Sequence, residues 1–364
     1  MSDNYEDHFL AEDRKFSRKE RKRITQKDRS KYKKTDQDKL VSEEDLHKKV
    51  QQKDFIRGRI LSIISQDIIV DVDGIDYRCV LKGSLKKEQR HRKNIVTVGD
   101  FILMKESSRR EGVIFHIEPR TSYLSRADNI TRRKEQFIAA NVDQVIITVS
   151  VVDPVLRPAI VDRYLISVWK GKMKPLIVIN KSDLLSRAEP EELEIYREFI
   201  EAYSLEGVRV IPLSTITGEG LEELRGAMCD KVSVFAGQSG VGKTSLINYI
   251  TGLDLTVGDT VAITRKGAHT TSRSQLIKLE SGGWCVDTPG IKSFGIWDLN
   301  KRELSRYFPD IWEYGNSCQF QDCMHLSEPG CAVTKALEEG SLSKIRYNSY
   351  KSLLEELDEK YLRR

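Results

Sequence analysis

The 364-residue sequence predicts a multi-domain protein with three folded units: a small β-barrel, an α/β domain and a helix-rich C-terminal domain. Three observations support this prediction. Short alternating segments fill residues 56–117, apolar strands alternate with amphipathic helices over 142–286, and cysteine and histidine crowd into 318–331. The expected boundaries are 1–53 for a disordered N-terminal arm, 54–120 for the barrel, 121–300 for the α/β domain and 301–364 for the C-terminal domain.

The N-terminal arm is polar and strongly basic. Between Arg14 and Lys34 it carries twelve Lys or Arg residues against Glu20 and Asp28, although the whole chain has a net charge of only +5. The segment lacks hydrophobic periodicity, so we expect disorder. An electrostatic arm for nucleic acid and a solubilising tail both fit this composition.

The composition also indicates a compartment. No apolar run approaches the roughly 20 residues that a membrane-spanning helix needs, and the polar N-terminus has no signal-peptide core. We therefore expect a soluble, cytoplasmic monomer without a membrane partner. Cys79, Cys229 and Cys285 are scattered in apolar segments, which favours reduced thiols over a disulfide framework.

Five short strands are predicted in the first unit, with a basic loop between the third and the fourth. Five strands within about 65 residues are typical of a closed barrel of the OB-fold type, which commonly binds nucleic acid through its strands and loops. RNA binding and a role in packing or protein contact both remain open here. The expected strands are 56–64, 68–72, 75–81, 101–104 and 112–117.

The α/β unit is expected to form a parallel sheet covered by helices on both faces. Its strands are predicted at 142–149, 176–179, 208–211, 232–236 and 283–286, its helices at 159–169, 190–203, 221–228 and 245–250, and a charged C-terminal helix at 343–362.

A nucleoside-triphosphate P-loop lies between the strand at 232–236 and its helix, where the sequence satisfies G-x-x-x-x-G-K-[ST]. The glycines keep side chains away, so that backbone N–H groups and the helix N-terminus can face the phosphates. Lys243 is expected to act on the β- and γ-phosphates, and the Thr244 hydroxyl to ligate Mg²⁺. The predicted phosphate-binding residues are Gly237, Gln238, Ser239, Gly240, Val241, Gly242, Lys243, Thr244 and Ser245.

A segment that can read guanine follows the strand at 176–179, with the sequence N-K-S-D. The Asp183 carboxylate can accept both N1–H and the exocyclic N2–H₂ of guanine, and adenine offers no such donor pair. Asn180 would hold neighbouring loops and the base edge, with the Lys181 stem over the ring. Ser214 and Thr215, after the next strand, could place a backbone N–H on guanine O6, although a helix N-cap explains them equally well.

Two further segments are expected to respond to the γ-phosphate. Asp287 would meet Mg²⁺ through water, and the Gly290 N–H would sense the γ-phosphate. In G-A-H-T-T, either Thr270 or Thr271 would contact Mg²⁺ and the γ-phosphate in a loop that orders with triphosphate. The base-reading segments precede the phosphate-reading ones, so the unit is predicted to be a circularly permuted P-loop GTPase, foldable because domain termini often lie close together.

The C-terminal domain carries Cys318, Cys323, His325 and Cys331, spaced C-x₄-C-x-H-x₅-C. Three thiolates and one imidazole match a closed tetrahedral Zn²⁺ site, which is structural because no ligand position stays open. The alternative is a set of buried cysteines beside an incidental histidine. The loop has little hydrophobic core of its own, so we expect one metal ion to stabilise its fold.

The order N-K-x-D, S-T-x-x-G, P-loop, H-T-T, D-T-P-G, then C-x₄-C-x-H-x₅-C closely resembles the bacterial small-subunit-dependent GTPases of the RsgA/YjeQ type. The resemblance covers about residues 55–364. It implies an OB-fold domain, a circularly permuted GTPase and a zinc domain that dock on the 30S subunit and its 16S rRNA late in maturation. It also implies GTP hydrolysis that the subunit stimulates, followed by release. Further matching segments are 98–100, 138–144, 162–165 and 331–333.

The residue that activates water is less well defined. Ras-like enzymes place a glutamine directly after D-x-x-G, and Ile291 stands there in this chain. We take His269, in the loop with the two threonines, as the candidate, with a loop or RNA-contact role as its alternative. Gly240 occupies the position of an asparagine that holds a monovalent cation in a related mechanism, which disfavours that route.

Two other functions remain open from the sequence. One is a GTP-gated rRNA-binding protein with negligible hydrolysis, which the absence of the glutamine favours. The other is an ATP-using P-loop enzyme, which predicts that ATP displaces bound GDP as well as GTP does.

Overall fold

The first folded unit is a closed five-stranded barrel, which confirms the predicted OB-type architecture. Its strands are β1 Ile56–Ile64, β2 Asp67–Val72, β3 Ile75–Leu81, β4 Phe101–Ser108 and β5 Glu111–Ile117, with a short helix α1 Gly83–Lys87. They lie in the order β1-β2-β3-β5-β4 and close through a β1–β4 pairing, with β3 and β5 parallel. Alternate residues point inward, as the pleat requires, and bury Ile60, Val70, Ile102 and Ile114.

The computed structural model describes residues 55–64, 66–87, 94–127, 135–253, 274–287 and 299–362, and only the backbone at 86, 87, 126, 127, 135, 287 and 358–362. The predicted arm at 1–53 lies outside these residues. No helix within the described ranges combines the length and the apolar character needed to cross a membrane.

A mostly parallel sheet forms the centre of the α/β unit. Its strands are β8 Gln144–Ser150, β9 Lys174–Asn180, β10 Arg209–Pro212, β11 Val232–Gly237, β12 Gln275–Lys278 and β13 Trp284–Asp287. They lie in the order β10-β9-β8-β11-β13-β12, and β12 alone runs antiparallel to its neighbour. β12 also pairs with β1 at Ser62 and Gln275, so the barrel and the α/β sheet are hydrogen-bonded to each other.

Helices cover both faces of this sheet, as predicted for a parallel sheet. They are α2 Pro158–Lys170, α3 Pro190–Leu205, α4 Leu221–Met228 and α5 Lys243–Thr251. Because successive strand residues face opposite sides, Ile147 of β8 packs in the core with α2 and α3, and its neighbour Ile146 packs with α4 and α5.

A hairpin of β6 Tyr123–Ala127 and β7 Glu135–Ala140 connects the barrel to the sheet. The Arg120 guanidinium forks onto the buried Asp100 carboxylate, and the Asn141 amide donates to Gly99 O at 2.9 Å. The hairpin and β12 are not predicted from the sequence, because their short strands mix polar and apolar residues without clear alternation.

The C-terminal domain consists of α6 Lys301–Leu304, α7 Pro309–Gly315, α8 Ala332–Glu338 and α9 Lys344–Leu362. Each of the two units, this domain and the α/β unit, buries a side chain in the hydrophobic core of the other. Ile166 of α2 is buried in the C-terminal cluster, whereas Ile345 of α9 is buried in the sheet cluster. This interlocking fixes α9 against α2.

Candidate functional site

The P-loop connects β11 to α5, in the strand–loop–helix context that its chemistry requires. Gly237, Gly240 and Gly242 have φ values of +145°, +86° and +89°, which side-chain-bearing residues rarely adopt. Gly242 is also the N-cap of α5, so the free N–H groups of the first helical turn point toward the loop. The Lys243 ammonium donates to Gly237 O at 2.9 Å and to Gln238 O.

Asn180, at the end of β9, joins the predicted base-reading segment to the P-loop. Its amide nitrogen donates to Val241 O at 2.8 Å, and the residue is 1% exposed. A Cβ on Gly242 would lie 2.2 Å from that nitrogen, so only glycine allows this approach. The Asn180 Oδ1 atom is buried and accepts no hydrogen bond within the described part of the chain. An unused acceptor at this point fits a site built for a further polar group.

The base-reading loops lie side by side because β9 and β10 are parallel neighbours. The Ser214 hydroxyl donates to the Asp183 carboxylate and accepts from the N–H groups of Ile216 at 3.1 Å and Thr217 at 3.2 Å. Lys181 has a left-handed φ of 64°, and its ammonium donates to Asp153 O. Ser214 thus holds Asp183 in place, and the alternative role as a helix N-cap is wrong, because the N-cap of α4 is Gly220.

The structure brings together many of the predicted nucleotide residues. They occupy the carboxyl ends of three parallel strands and the loops that follow: Asn180, Lys181 and Asp183 at β9, Ser214 and Thr215 after β10, and 237–245 after β11. In open α/β sheets this edge is where ligands bind. The Asp287 backbone ends β13, which pairs in parallel with β11. His269, Thr270, Thr271, Gly290 and Ile291 lie outside the described residues.

The Cys/His cluster forms a compact centre in the C-terminal domain. The ligand atoms of Cys318, Cys323, His325 and Cys331 all lie within 4.8 Å of one another. His325 presents Nδ1, at 3.5 Å from Cys318 Sγ and 3.7 Å from Cys331 Sγ, and the two sulfurs are 3.8 Å apart. Burial lowers the pKa of His325, which favours the neutral imidazole that binds metals.

Glu328 holds the loop that carries His325 and is not predicted as a site residue. Its carboxylate accepts from the N–H groups of Met324 at 2.8 Å, Leu326 at 2.9 Å and Ser327 at 3.1 Å. Burial alone would raise its pKa, but these hydrogen bonds bring it down to about 2. Gly315 is a second unpredicted contributor, because a Cβ there would lie 3.1 Å from His325 Nε2.

Three features define the class of this protein: a P-loop, an adjoining N-K-x-D segment, and a sheet in which the base-reading strands come first along the chain. This is a circularly permuted P-loop GTPase with an OB-type barrel before it and a Cys/His domain after it.

Comparison with known proteins agrees with this class. Residues 117–297 match the family described as RsgA GTPase. The chain is 37% identical over 319 residues to the small ribosomal subunit biogenesis GTPase RsgA of Chlorobaculum tepidum, covering 84% of this chain and 100% of that one. It is 38% identical over 288 residues to the protein of the same name from Haemophilus influenzae strain PittGG, covering 78% of this chain and 79% of that one. This chain belongs to the RsgA GTPase family.

Two solved structures share its fold. YjeQ from Thermotoga maritima superposes with a TM-score of 0.66 at 32% identity, covering 83% of this chain and 98% of that one. YloQ, described as a circularly permuted GTPase, superposes with a TM-score of 0.65 at 31% identity, covering 85% and 97%.

Proposed function

We propose that this chain hydrolyses GTP while bound to the small ribosomal subunit and acts in the late maturation of that particle. The observation that carries the proposal is the contact between Asn180 and the P-loop carbonyl of Val241, because it joins a guanine-type base reader to a phosphate cradle in one site. The names of its relatives, small ribosomal subunit biogenesis GTPases, support the subunit as the partner. This role implies a cytoplasmic protein, and we expect it to act as a monomer.

Guanine selectivity is assigned to Asp183 and the residues that hold it. The carboxylate accepts from N1–H and N2–H₂ of the base, and adenine would leave it unpaired in a low-dielectric pocket. Ser214 fixes the carboxylate, the Lys181 stem covers the ring, and the backbone at Thr215 faces guanine O6. Asn180 contacts the base edge through its Oδ1 atom, which accepts no hydrogen bond within the described part of the chain.

Phosphate binding is assigned to residues 237–245. Backbone N–H groups around Gly240 and Gly242 meet the β-phosphate, and Lys243 leaves the loop carbonyls to reach the β- and γ-phosphates. Mg²⁺ supplies charge neutralisation between these phosphates when bound. The residues that would hold it are Thr244, one of Thr270 and Thr271, and Asp287 through water, with the Gly290 N–H on the γ-phosphate.

Water activation is assigned to His269. An imidazole can orient the attacking water and accept its proton near neutral pH, and the isoleucine at position 291 has no polar atom for this purpose. We expect slow intrinsic turnover and faster turnover on the ribosomal subunit.

The Cys/His centre is proposed to hold one structural Zn²⁺ ion. Tetrahedral zinc with usual bond lengths places two sulfurs about 3.8 Å apart and a sulfur and a nitrogen about 3.6 Å apart. The corresponding distances here are 3.8 Å between Cys318 and Cys331 and 3.5 and 3.7 Å to His325. The donor set fits the ion, as do these three distances, and Cys323 Sγ lies within 4.8 Å of the other three ligand atoms.

The barrel is proposed to contact 16S rRNA. Arg57 lies 4.2 Å from the centre of the Phe101 ring, and Lys82 lies 4.3 Å from that of Phe115. Aromatic rings beside cations are the usual elements of a surface that stacks bases and binds phosphates.

The deciding experiment measures GTP turnover with isolated 30S, 50S and 70S particles. Stimulation by 30S supports the proposal, and a preference for 50S contradicts the partner. Absence of stimulation by any particle would favour the GTP-gated binding protein. Displacement of labelled GDP by GTP but not by ATP, lost in Asp183→Asn, distinguishes a guanine site from an ATP-using enzyme.

A further inference from the structure

A buried charge cluster joins the C-terminal domain to helix α2. Arg346 of α9 pairs with Asp162 of α2, and both side chains are 1% exposed. Arg346 Nε also lies 3.3 Å from the Asp310 carboxylate of α7, and Tyr203 of α3 donates its hydroxyl to Asp162 at 2.7 Å. Removing one partner of such a pair would leave an uncompensated charge in the interior, so the cluster fixes α9 against α2.

The N-terminal part of the same helix borders the nucleotide site. An open cleft of about 410 Å³ is lined by Ile160 and Tyr164 of α2 and by Gln238 and Ser239 of the P-loop. The N-cap residue, Arg157, makes no side-chain capping hydrogen bond. Helix α2 is therefore held by the sheet core and by α9, and its N-terminal part faces the P-loop across this cleft.

Helix α9 also holds the metal loop. The Tyr347 hydroxyl donates to His325 O at 2.9 Å, and the Tyr350 hydroxyl donates to Met324 O at 3.2 Å. These tyrosines lie within about one helical turn of Arg346. One segment of α9 thus contacts both the loop that carries a metal ligand and the helix that borders the P-loop.

We propose that Arg346 is a positioning residue for the nucleotide reaction: by holding Asp162 it fixes α2 beside the P-loop and thereby couples the Cys/His centre to the nucleotide site. The inference rests on the proposed function, because it takes nucleotide at the P-loop and zinc in the Cys/His centre. Phosphates on the P-loop favour one placement of α2, and α9 passes that preference to the metal loop.

Coupling between two binding sites is reciprocal. If a GTP analogue tightens zinc binding by some factor, zinc must tighten the binding of the analogue by the same factor. We expect a factor within the range usual for coupled sites, roughly 5- to 150-fold. A residue that merely stabilises the fold would lower both affinities without setting this factor.

The test measures this factor on the full chain. Zinc affinity is determined by competition with a chromophoric chelator, with and without a saturating non-hydrolysable GTP analogue, and analogue affinity is determined in zinc-loaded and zinc-stripped protein. The main variant is Asp162→Asn with Arg346→Met, which removes both charges of the fully buried pair together, a change that buried pairs often tolerate. It leaves the less buried Asp310 carboxylate with the Ile311 N–H as its donor. The control is Arg209→Gln on the edge strand β10, which removes the exposed ion pair between Arg209 and Glu223 of α4.

We expect the double variant to lower the coupling factor at least about threefold, with the Ile166 and Ile345 packing and the Arg163–Glu356 pair left to join α2 and α9. The Arg209→Gln control should keep the wild-type factor. If the double variant does not fold, Arg346→Lys takes its place, because it keeps the buried positive charge but loses the planar guanidinium that contacts Asp162 and Asp310 together. Independent sites in the wild type, or a wild-type factor in the variant, would overturn the coupling alone. A wild-type chain that binds neither zinc nor guanine nucleotide would refute the proposed function as well.

Discussion

Gly242→Ala tests whether the close approach between the P-loop and Asn180 forms part of the nucleotide site. The added Cβ would lie 2.2 Å from Asn180 Nδ2, and the backbone would keep a φ of +89°. Both effects act on the loop that is proposed to bind the phosphates, and neither touches the sheet core.

The expected loss follows from two contributions. An L-residue in the left-handed region costs about 1–2 kcal/mol. Displacing Asn180 breaks its 2.8 Å hydrogen bond to Val241 O, which is worth about 1 kcal/mol. The empty variant loop relieves both by relaxing, and it must regain the strained geometry to bind phosphates, so both contributions enter the binding free energy. Together they amount to roughly 2–3 kcal/mol, and since 1.4 kcal/mol is tenfold in affinity, GDP should bind about 30- to 150-fold more weakly.

The measurement is the affinity for a fluorescent GDP analogue. The matched control is Gly252→Ala at the other end of α5, where φ is +68° but no atom would lie within 4 Å of the new Cβ. That variant carries the backbone strain without the contact, so its stability should fall while its GDP affinity stays within twofold of wild type. Wild-type affinity in Gly242→Ala, or an equal loss in the control, would refute the reasoning.

Three further predictions concern other sites. Ser214→Ala removes the hydroxyl that donates to Asp183 and accepts from the N–H groups of Ile216 and Thr217. Loss of the contact that holds the Asp183 carboxylate, worth about 1 kcal/mol or slightly more, should weaken GDP binding about tenfold and leave ADP binding unchanged. Glu328→Gln can keep only part of the three N–H contacts and should lower zinc affinity roughly 10- to 100-fold in a chelator competition; an unchanged affinity would remove Glu328 from the metal site. Burial, together with the Asp310 and Asp162 carboxylates and against the Arg346 charge, raises the pKa of Glu206 to about 7. The folded protein therefore holds this proton more tightly than the unfolded chain, so the stability that the protonated Glu206 contributes is present near pH 4.5 and is lost as pH rises through 7. After allowance for solvent screening, the free energy of unfolding measured with denaturant should fall by about 1 kcal/mol over this range. Glu206→Gln should abolish this pH dependence.

The local binding motifs of this protein were predictable from the sequence alone, and each of them recognises a phosphate, a base or a metal ion. A P-loop, an N-K-x-D segment and a Cys/His cluster each draw their chemistry from residues close together in the chain, so spacing alone predicts them. The order of these motifs was enough to predict the circular permutation, and alternation was enough to predict the five barrel strands and their OB-type closure.

The contacts between these units were decided by tertiary structure alone. Asp162 and Arg346 are far apart in the sequence, and each has the spacing of an ordinary charged helical residue. Only the packing of α9 on α2 buries both and makes each the other's necessary partner. For Asn180 the sequence predicted a role in holding neighbouring loops, but its partner, Val241 O, depends on the sheet placing the ends of β9 and β11 at one edge. Local chemistry is encoded by neighbouring residues, whereas burial and pairing across the fold depend on which helices and strands finally meet, and no short pattern in the chain records that.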